Sequence, residues 1–249
     1  MKKVFLALLM AVGISAAQAQ VTGNLGLTSD YRFRGISQSQ NAPAVSGGID
    51  YVNEPTGLYV GNWNSSVSSL MYTNGAGVES DLYAGWKKDI YEGITIDVGS
   101  YNYFYPRATT TAATGSNYDT YEAFAGVGYG PVAVKYSQTL GNGYFGTANA
   151  RGTNYTGVDL NQSFEPLSAT LKDLSFLAHY GHTNVNHTSN LNYNDINVGL
   201  GYMLPQAWNI SAKYYTNSSM TGTFQNANTV NGQKLYKNAF VAAVTKTFE

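Results

Sequence analysis

Hydrophobic and polar positions alternate along most of this chain, clearly so from residue 21. Val21, Gly23, Leu25, Leu27, Ser29, Tyr31 and Phe33 share one parity, and Thr22, Asn24, Gly26, Thr28, Asp30, Arg32 and Arg34 share the other. Successive strand side chains point to opposite faces. Residues 22–34 therefore read as a strand with a mainly apolar face ending in two aromatics and a second face carrying three charges. The same period of two returns, broken at turn residues, over 43–53, 57–64, 77–88, 93–104, 118–129, 131–140, 153–164, 171–183, 193–204, 207–217 and 236–248. That makes twelve strands, with the third and the last ambiguous in register.

Within strands the apolar face has a profile of its own. Tyr121, Ala123, Ala125, Val127 and Tyr129 alternate with Glu122, Phe124, Gly126 and Gly128, so aromatics bracket an aliphatic band. Ile94, Ile96 and Val98 oppose Thr95, Asp97 and Gly99, and Trp208, Ile210, Ala212 and Tyr214 oppose Asn209, Ser211 and Lys213. A soluble β-sandwich would also alternate, but it would carry more Lys and Glu on its polar faces and has no use for aromatic bracketing. A membrane barrel needs both features, because Arg or Lys facing lipid at midplane costs about 2–4 kcal/mol and aromatics settle at the interfaces. The expected fold class is all-β, an antiparallel transmembrane up-and-down β-barrel of about twelve strands.

The connections alternate in length. Those at 54–57, 89–92, 130–131 and 205–207 are tight, whereas 35–42, 65–76, 106–117, 141–152, 184–192 and 218–235 are long and polar. The connection at 165–170 is somewhat long for its place in this series. Outer-membrane barrels have short periplasmic turns and longer outward loops. The pattern puts the N-terminus on the periplasmic side and the chain in a bacterial outer membrane, with the lipid bilayer as partner.

Composition sharpens this. Charged residues make up 12% of the chain, against roughly 25% in ordinary soluble domains. Tyr (21 copies) suits membrane interfaces, and Gly (27 copies) suits turns and crowded barrel walls. There is no cysteine, which removes disulfide scaffolds and thiolate metal sites, and a net charge of −1 gives nothing for a nucleic-acid partner. Lys2 and Lys3, the apolar run 4–12 and Ala17-Gln18-Ala19 have the layout of a cleaved secretory signal peptide. The expected organisation is a signal peptide over 1–19 and one barrel domain over 20–249.

Inward parity selects the residues that would line a pore: Asp30, Arg32, Arg34, Asp50, Glu79, Asp81, Lys87, Asp97, Glu122, Lys135, Asp195 and Lys213. Lumen charges select ions by Coulomb interaction in a confined path. Acids outnumber bases here, so a weak cation preference is expected. The alternative is that these charges pair across the lumen and plug it. His179 and His182 have opposite parity and cannot face one site from a regular strand. His187 and Ser189 fall in a loop without an acid to orient the imidazole, and no metal-ligand or nucleotide motif is present. No catalytic residues, metal or cofactor are expected.

Ser29-Asp30-Tyr31-Arg32-Phe33-Arg34-Gly35-Ile36-Ser37-Gln38, Pro43-Ala44-Val45, Gly48-Ile49-Asp50-Tyr51, and Gly57-Leu58-Tyr59-Val60-Gly61 with Trp63 resemble the start of the TorF-like porin family. The resemblance covers about the first quarter of the chain after the leader and implies an outer-membrane barrel with a pore role. One departure is that Phe248 is penultimate and Glu249 last, where such barrels usually end on an aromatic. The expected function is a passive diffusion channel for small hydrophilic solutes, formed by a monomeric or weakly oligomeric barrel. A plugged barrel acting as a structural or surface-binding protein and a lipid-modifying enzyme are the alternatives.

Overall fold

The computed structural model describes residues 19–72, 75–108 and 117–249. The leader expected over 1–19 lies outside them except for Ala19. From the N-terminal side the chain forms β1 (Ala19–Thr28), a miniature hairpin of β2 (Arg32–Phe33) and β3 (Ile36–Ser37), β4 (Ala44–Asn53) and β5 (Leu58–Ser66). It continues through β6 (Val78–Tyr91), β7 (Ile94–Phe104), β8 (Thr120–Tyr129), β9 (Val132–Thr139), β10 (Asn154–Ser163) and β11 (Leu174–Asn184). Next come β12 (Tyr193–Leu204) and β13 (Trp208–Ser218). A short helix α1 (Gly222–Ala227), a ribbon of β14 (Thr229–Val230) and β15 (Gln233–Lys234), and β16 (Ala239–Phe248) complete it.

Twelve of these strands pair antiparallel, each with its neighbours in sequence, and the wall closes where β1 meets β16. Closure runs from Gly23 opposite Phe248 to Thr28 opposite Ala243. Such closure leaves no unpaired edge, which is the condition for placing strands in lipid.

The wall is inverted relative to a soluble protein. Its outer face carries large apolar side chains in the open, among them Val21, Leu25, Ile49, Val60, Leu82, Val127, Val198 and Ile210. Exposure reaches 61% at Ile49, which in water would be an unpaid hydrophobic cost along every strand. Tyr91, Tyr129, Tyr202 and Trp208 sit toward the short turns, and Phe104, Tyr121 and Phe240 toward the long loops. The interior holds the buried polar groups: Glu79, Asp81, Thr120, Glu122, Thr139, Thr183 and Asp195.

Apart from the first strand, strand ends shift by up to three residues from the sequence expectation. β11 starts at Leu174, after a 3-10 turn at Ala169–Leu171, and β16 starts at Ala239. Two further differences have specific physical reasons. β6 runs on to Tyr91 through an irregularity at Asp89/Tyr91, and the turn is Glu92-Gly93, both at positive φ (39° and 82°). The larger difference is in the first strand. It ends at Thr28 instead of continuing to Arg34, because the chain leaves the wall there and Thr28 is already paired with Ala44 of β4. Residues 29–43 fold into the barrel instead. Their alternation is real, but it belongs to the β2–β3 hairpin, in which Phe33 pairs with Ile36 and Arg34-Gly35 form the two-residue turn (φ 47° and 78°). Positive φ at both central positions is the type I′ requirement.

Candidate functional site

The infolded segment is internally braced around Asp30. One carboxylate oxygen of Asp30 accepts from Ser37 Oγ (2.5 Å) and Ser39 Oγ (3.2 Å), and the other from Arg32 Nε (2.7 Å). Arg32 also donates to the carbonyls of Gly35 (3.1 Å) and Lys237 (2.8 Å) and to Asn41 Oδ1. Asp30, Arg32 and Arg34 therefore do not form a charged stripe on the wall. Asp30 and Arg32 stabilise the hairpin, and Arg34 stands at its tip.

The hairpin crosses the barrel and meets most of its circumference. Tyr31 packs edge-on to Trp63 of β5 and donates to Glu79 of β6 (3.2 Å). Phe33 meets Tyr103 of β7. Arg34 makes a two-pronged bond to Glu122 of β8 (2.9 and 2.7 Å) and a bond to Tyr144 Oη (3.1 Å), and lies 4.2 Å from the ring centroid of Tyr155 of β10. Tyr193 of β12 donates to the Arg34 carbonyl (2.9 Å) and Asn217 of β13 to that of Gly35 (3.2 Å). Burial alone would lower the Arg34 pKa, but Glu122, then Tyr144 and Tyr103, more than offset this and raise it above its ordinary value. The guanidinium stays charged and paired.

Gly35 is required twice over. Its φ is +78°, and a Cβ there would run into Asn217 Oδ1 and come within 2.6 Å of Asp195 Cβ. No side chain fits between the hairpin tip and the β12–β13 wall.

The remaining sequence-selected residues sort by height. Glu79, Asp81, Glu122 and Asp195 lie near the long-loop ends of their strands, are almost fully buried, and surround the hairpin. Glu79 Oε2, Asp81 Oδ1 and Asp195 Oδ2 have no hydrogen-bond partner among the described residues. Asp50, Lys87, Asp97 and Lys135 lie nearer the short turns, and Lys213 stands at the middle of β13. Asp50 accepts from Tyr83 Oη (2.6 Å) and Asp97 from Tyr59 Oη (2.8 Å). Lys135 Nζ stands 3.8 Å from the ring centroid of Phe124. Lys87 is exposed, opposite Asp97 in register.

Sequence reasoning missed one cluster. Asp159 of β10 and His179 of β11 are register partners, with His179 Nδ1 2.7 Å from Asp159 Oδ1. On its other side His179 Nε2 lies 2.7 Å from Tyr155 Oη and 3.1 Å from Asp195 Oδ1. The room comes from Gly181, where a Cβ would strike Tyr155 Oη. Asp159 shares its parity with Tyr155 and Gly157, so the same rule that selected Asp195 also selects it. His182 takes the other face, as parity requires, with Nδ1 2.7 Å from Asn194 Oδ1. Among the described residues no group of three or more His, Cys, Asp or Glu could hold a metal ion.

The closed barrel has counterparts among solved structures. The KdgM porin is similar over 93% of this chain and 99% of that chain, with 10% sequence identity and a TM-score of 0.54. The KdgM porin in complex with disordered oligogalacturonate is similar over the same shares, at 9% identity and a TM-score of 0.54. At that identity the likeness is one of fold: a closed, twelve-strand antiparallel β-barrel resembling that of the KdgM porin. Among curated proteins none matches this chain in sequence. Residues 13–248 match the family described as "Bacterial protein of unknown function (Gcw_chp)", and the chain belongs to that family.

Proposed function

We propose that this protein is a passive diffusion channel for small hydrophilic solutes across the bacterial outer membrane, narrowed by its own β2–β3 hairpin. One observation carries the reading: a closed wall with an apolar outer belt encloses charges that the hairpin does not use. Asp50, Lys87, Asp97 and Lys135 line the short-turn half of the path, with Lys213 and Asp159 at mid-height. Asp30, Arg32, Arg34, Glu79, Asp81, Glu122 and Asp195 hold the constriction. The path needs water and fixed charge, and this half of the barrel supplies both signs. The leader over 1–19, cleaved before Gln20, delivers the chain for export, and the resemblance to TorF-like porins supports the same role. No catalytic step, metal or cofactor enters this reading.

A second reading is favoured by the Arg34–Glu122 bond across the lumen, which makes the hairpin a plug and the long loops a binding surface. Conductance of the purified, refolded protein in a planar bilayer separates the two. Discrete steps that grow with salt concentration are expected. A folded barrel that gives no steps would replace the channel with the plug.

A further inference from the structure

On the long-loop side of the hairpin lies a cavity of about 820 Å3 to which every long connection contributes. This falls within the roughly 300–1,000 Å3 of ordinary small-molecule sites. The hairpin provides Phe33 and Ile36 to its lining. Tyr72, Tyr105 and Phe145 lie in one aromatic-rich hydrophobic cluster at its edge, and Phe224 and Tyr193 lie with Leu235 in another. Tyr72 stacks on Tyr105 (4.6 Å between centroids), and Tyr193 packs on Phe224 (4.5 Å).

Three properties distinguish this cavity from a general water-filled entrance. First, among the described residues none on its lining is charged. Residues 73–74 and 109–116, which join the same loops in sequence, contain no charged side chain either. Second, three of the tyrosine hydroxyls on its lining already have hydrogen-bond partners. Tyr72 donates to Gln38 (3.0 Å), Tyr193 donates to the Arg34 carbonyl, and Tyr144 accepts from Arg34. What remains toward the cavity is ring and aliphatic surface interspersed with the neutral side chains of Gln38, Thr147, Asn149, Thr188, Thr223 and Asn228. Third, the nearest buried cation, Arg34, is neutralised by Glu122. An ion entering would lose hydration without meeting a countercharge, whereas an uncharged molecule with an apolar ring would gain by covering these surfaces.

We infer that this cavity is a binding site for an uncharged small molecule carrying an apolar ring system, held between the two aromatic clusters. That the molecule is cargo rests on the channel reading, whereas its binding does not. The oligogalacturonate named with the KdgM porin is a polyanion, a class this lining would reject.

The test uses three probes with one ring system and three charges: 2-naphthalenemethanol, 2-naphthoate and 2-naphthylmethylammonium. Binding to the full barrel in lipid nanodiscs is measured by equilibrium dialysis against empty discs. The alcohol is expected to bind saturably, one per barrel, at least tenfold tighter than either ion. Ala227→Trp, which fills the cavity without deleting a contact, and Phe224→Ala, which removes a wall, are each expected to weaken it tenfold or more. Uptake no greater than that of empty discs, equal affinity for an ion, or an unchanged affinity in Ala227→Trp with its barrel intact would overturn the site. Conductance is read separately on the same preparation. Steps without alcohol binding sink the site and leave the channel, and alcohol binding without steps sinks the channel and leaves the site.

Discussion

At the scale of single residues, the hairpin tip concentrates the constraints. Arg34 sits at φ +47°, a conformation that costs an ordinary residue about 1–2 kcal/mol, and it is held there by Glu122, Tyr144, Tyr155 and Tyr193. Removing one partner of a buried ion pair costs about 3–5 kcal/mol, because the other charge is left uncompensated. Arg34→Ala is therefore expected to unseat the hairpin without opening the wall, since no rung of the barrel ladder involves residue 34. In a planar bilayer this should appear as larger and noisier steps, with the heat-modifiable gel shift of a folded barrel retained. Adding Glu122→Gln to Arg34→Ala should restore part of the lost stability, and strict additivity of the two changes would remove the pair from the account. Gly35→Ala tests the same seat from the backbone side. Its φ of +78° and its contact with Asn217 and Asp195 predict the same enlarged conductance, and unchanged steps in that variant would count against a seated tip.

At the scale of elements, the wall and the hairpin are separable. Thr28 pairs with Ala44, so a tight turn in place of 30–42 closes the β1–β4 hairpin with its register intact. That replacement is expected to leave a folded, heat-modifiable barrel whose conductance is several-fold higher. A chain that no longer folds would instead make the hairpin part of the barrel's core. The wall was legible in the sequence because lipid on one side and a polar interior on the other impose a strict period of two, visible at Val21, Leu25 and Leu27 or at Ile196, Val198 and Leu200. The hairpin was not, because a two-stranded ribbon has the same period. Tyr31 and Phe33 alternate with Arg32 and Arg34 whether they face lipid or Tyr103 and Glu122. Only contacts between residues 88 positions apart decide it, and these are not encoded locally. Arg34-Gly35 was the one local sign of a turn. Charge placement was legible by parity for Asp50, Asp97, Lys135 and Asp195, but parity says nothing of height. It thus could not separate the charges that bind the hairpin from those left facing the short-turn half.

At the scale of the whole molecule, the proposed channel makes that sorting by height decide what the path presents to an ion. The Arg34–Glu122 and Arg32–Asp30 pairs cancel internally, and Glu79, Asp81 and Asp195 are almost fully buried around the hairpin. In the proposed channel the water-facing set is then Asp50, Asp97 and Asp159 against Lys87, Lys135 and Lys213, three acids against three bases. His179 beside Asp159 offsets an acid only when protonated. The buried acids still act at short range through a low-dielectric wall, so the balance tips toward cations without becoming strong selectivity. A potassium chloride gradient across the bilayer should give a small reversal potential of cation-preferring sign. Lys135→Gln should move it further toward cations, and Asp97→Asn should move it toward zero or past it. Opposite shifts in these two variants would follow from their common placement on the path. If both left the reversal potential where it was, the ions would be passing by a route these residues do not line.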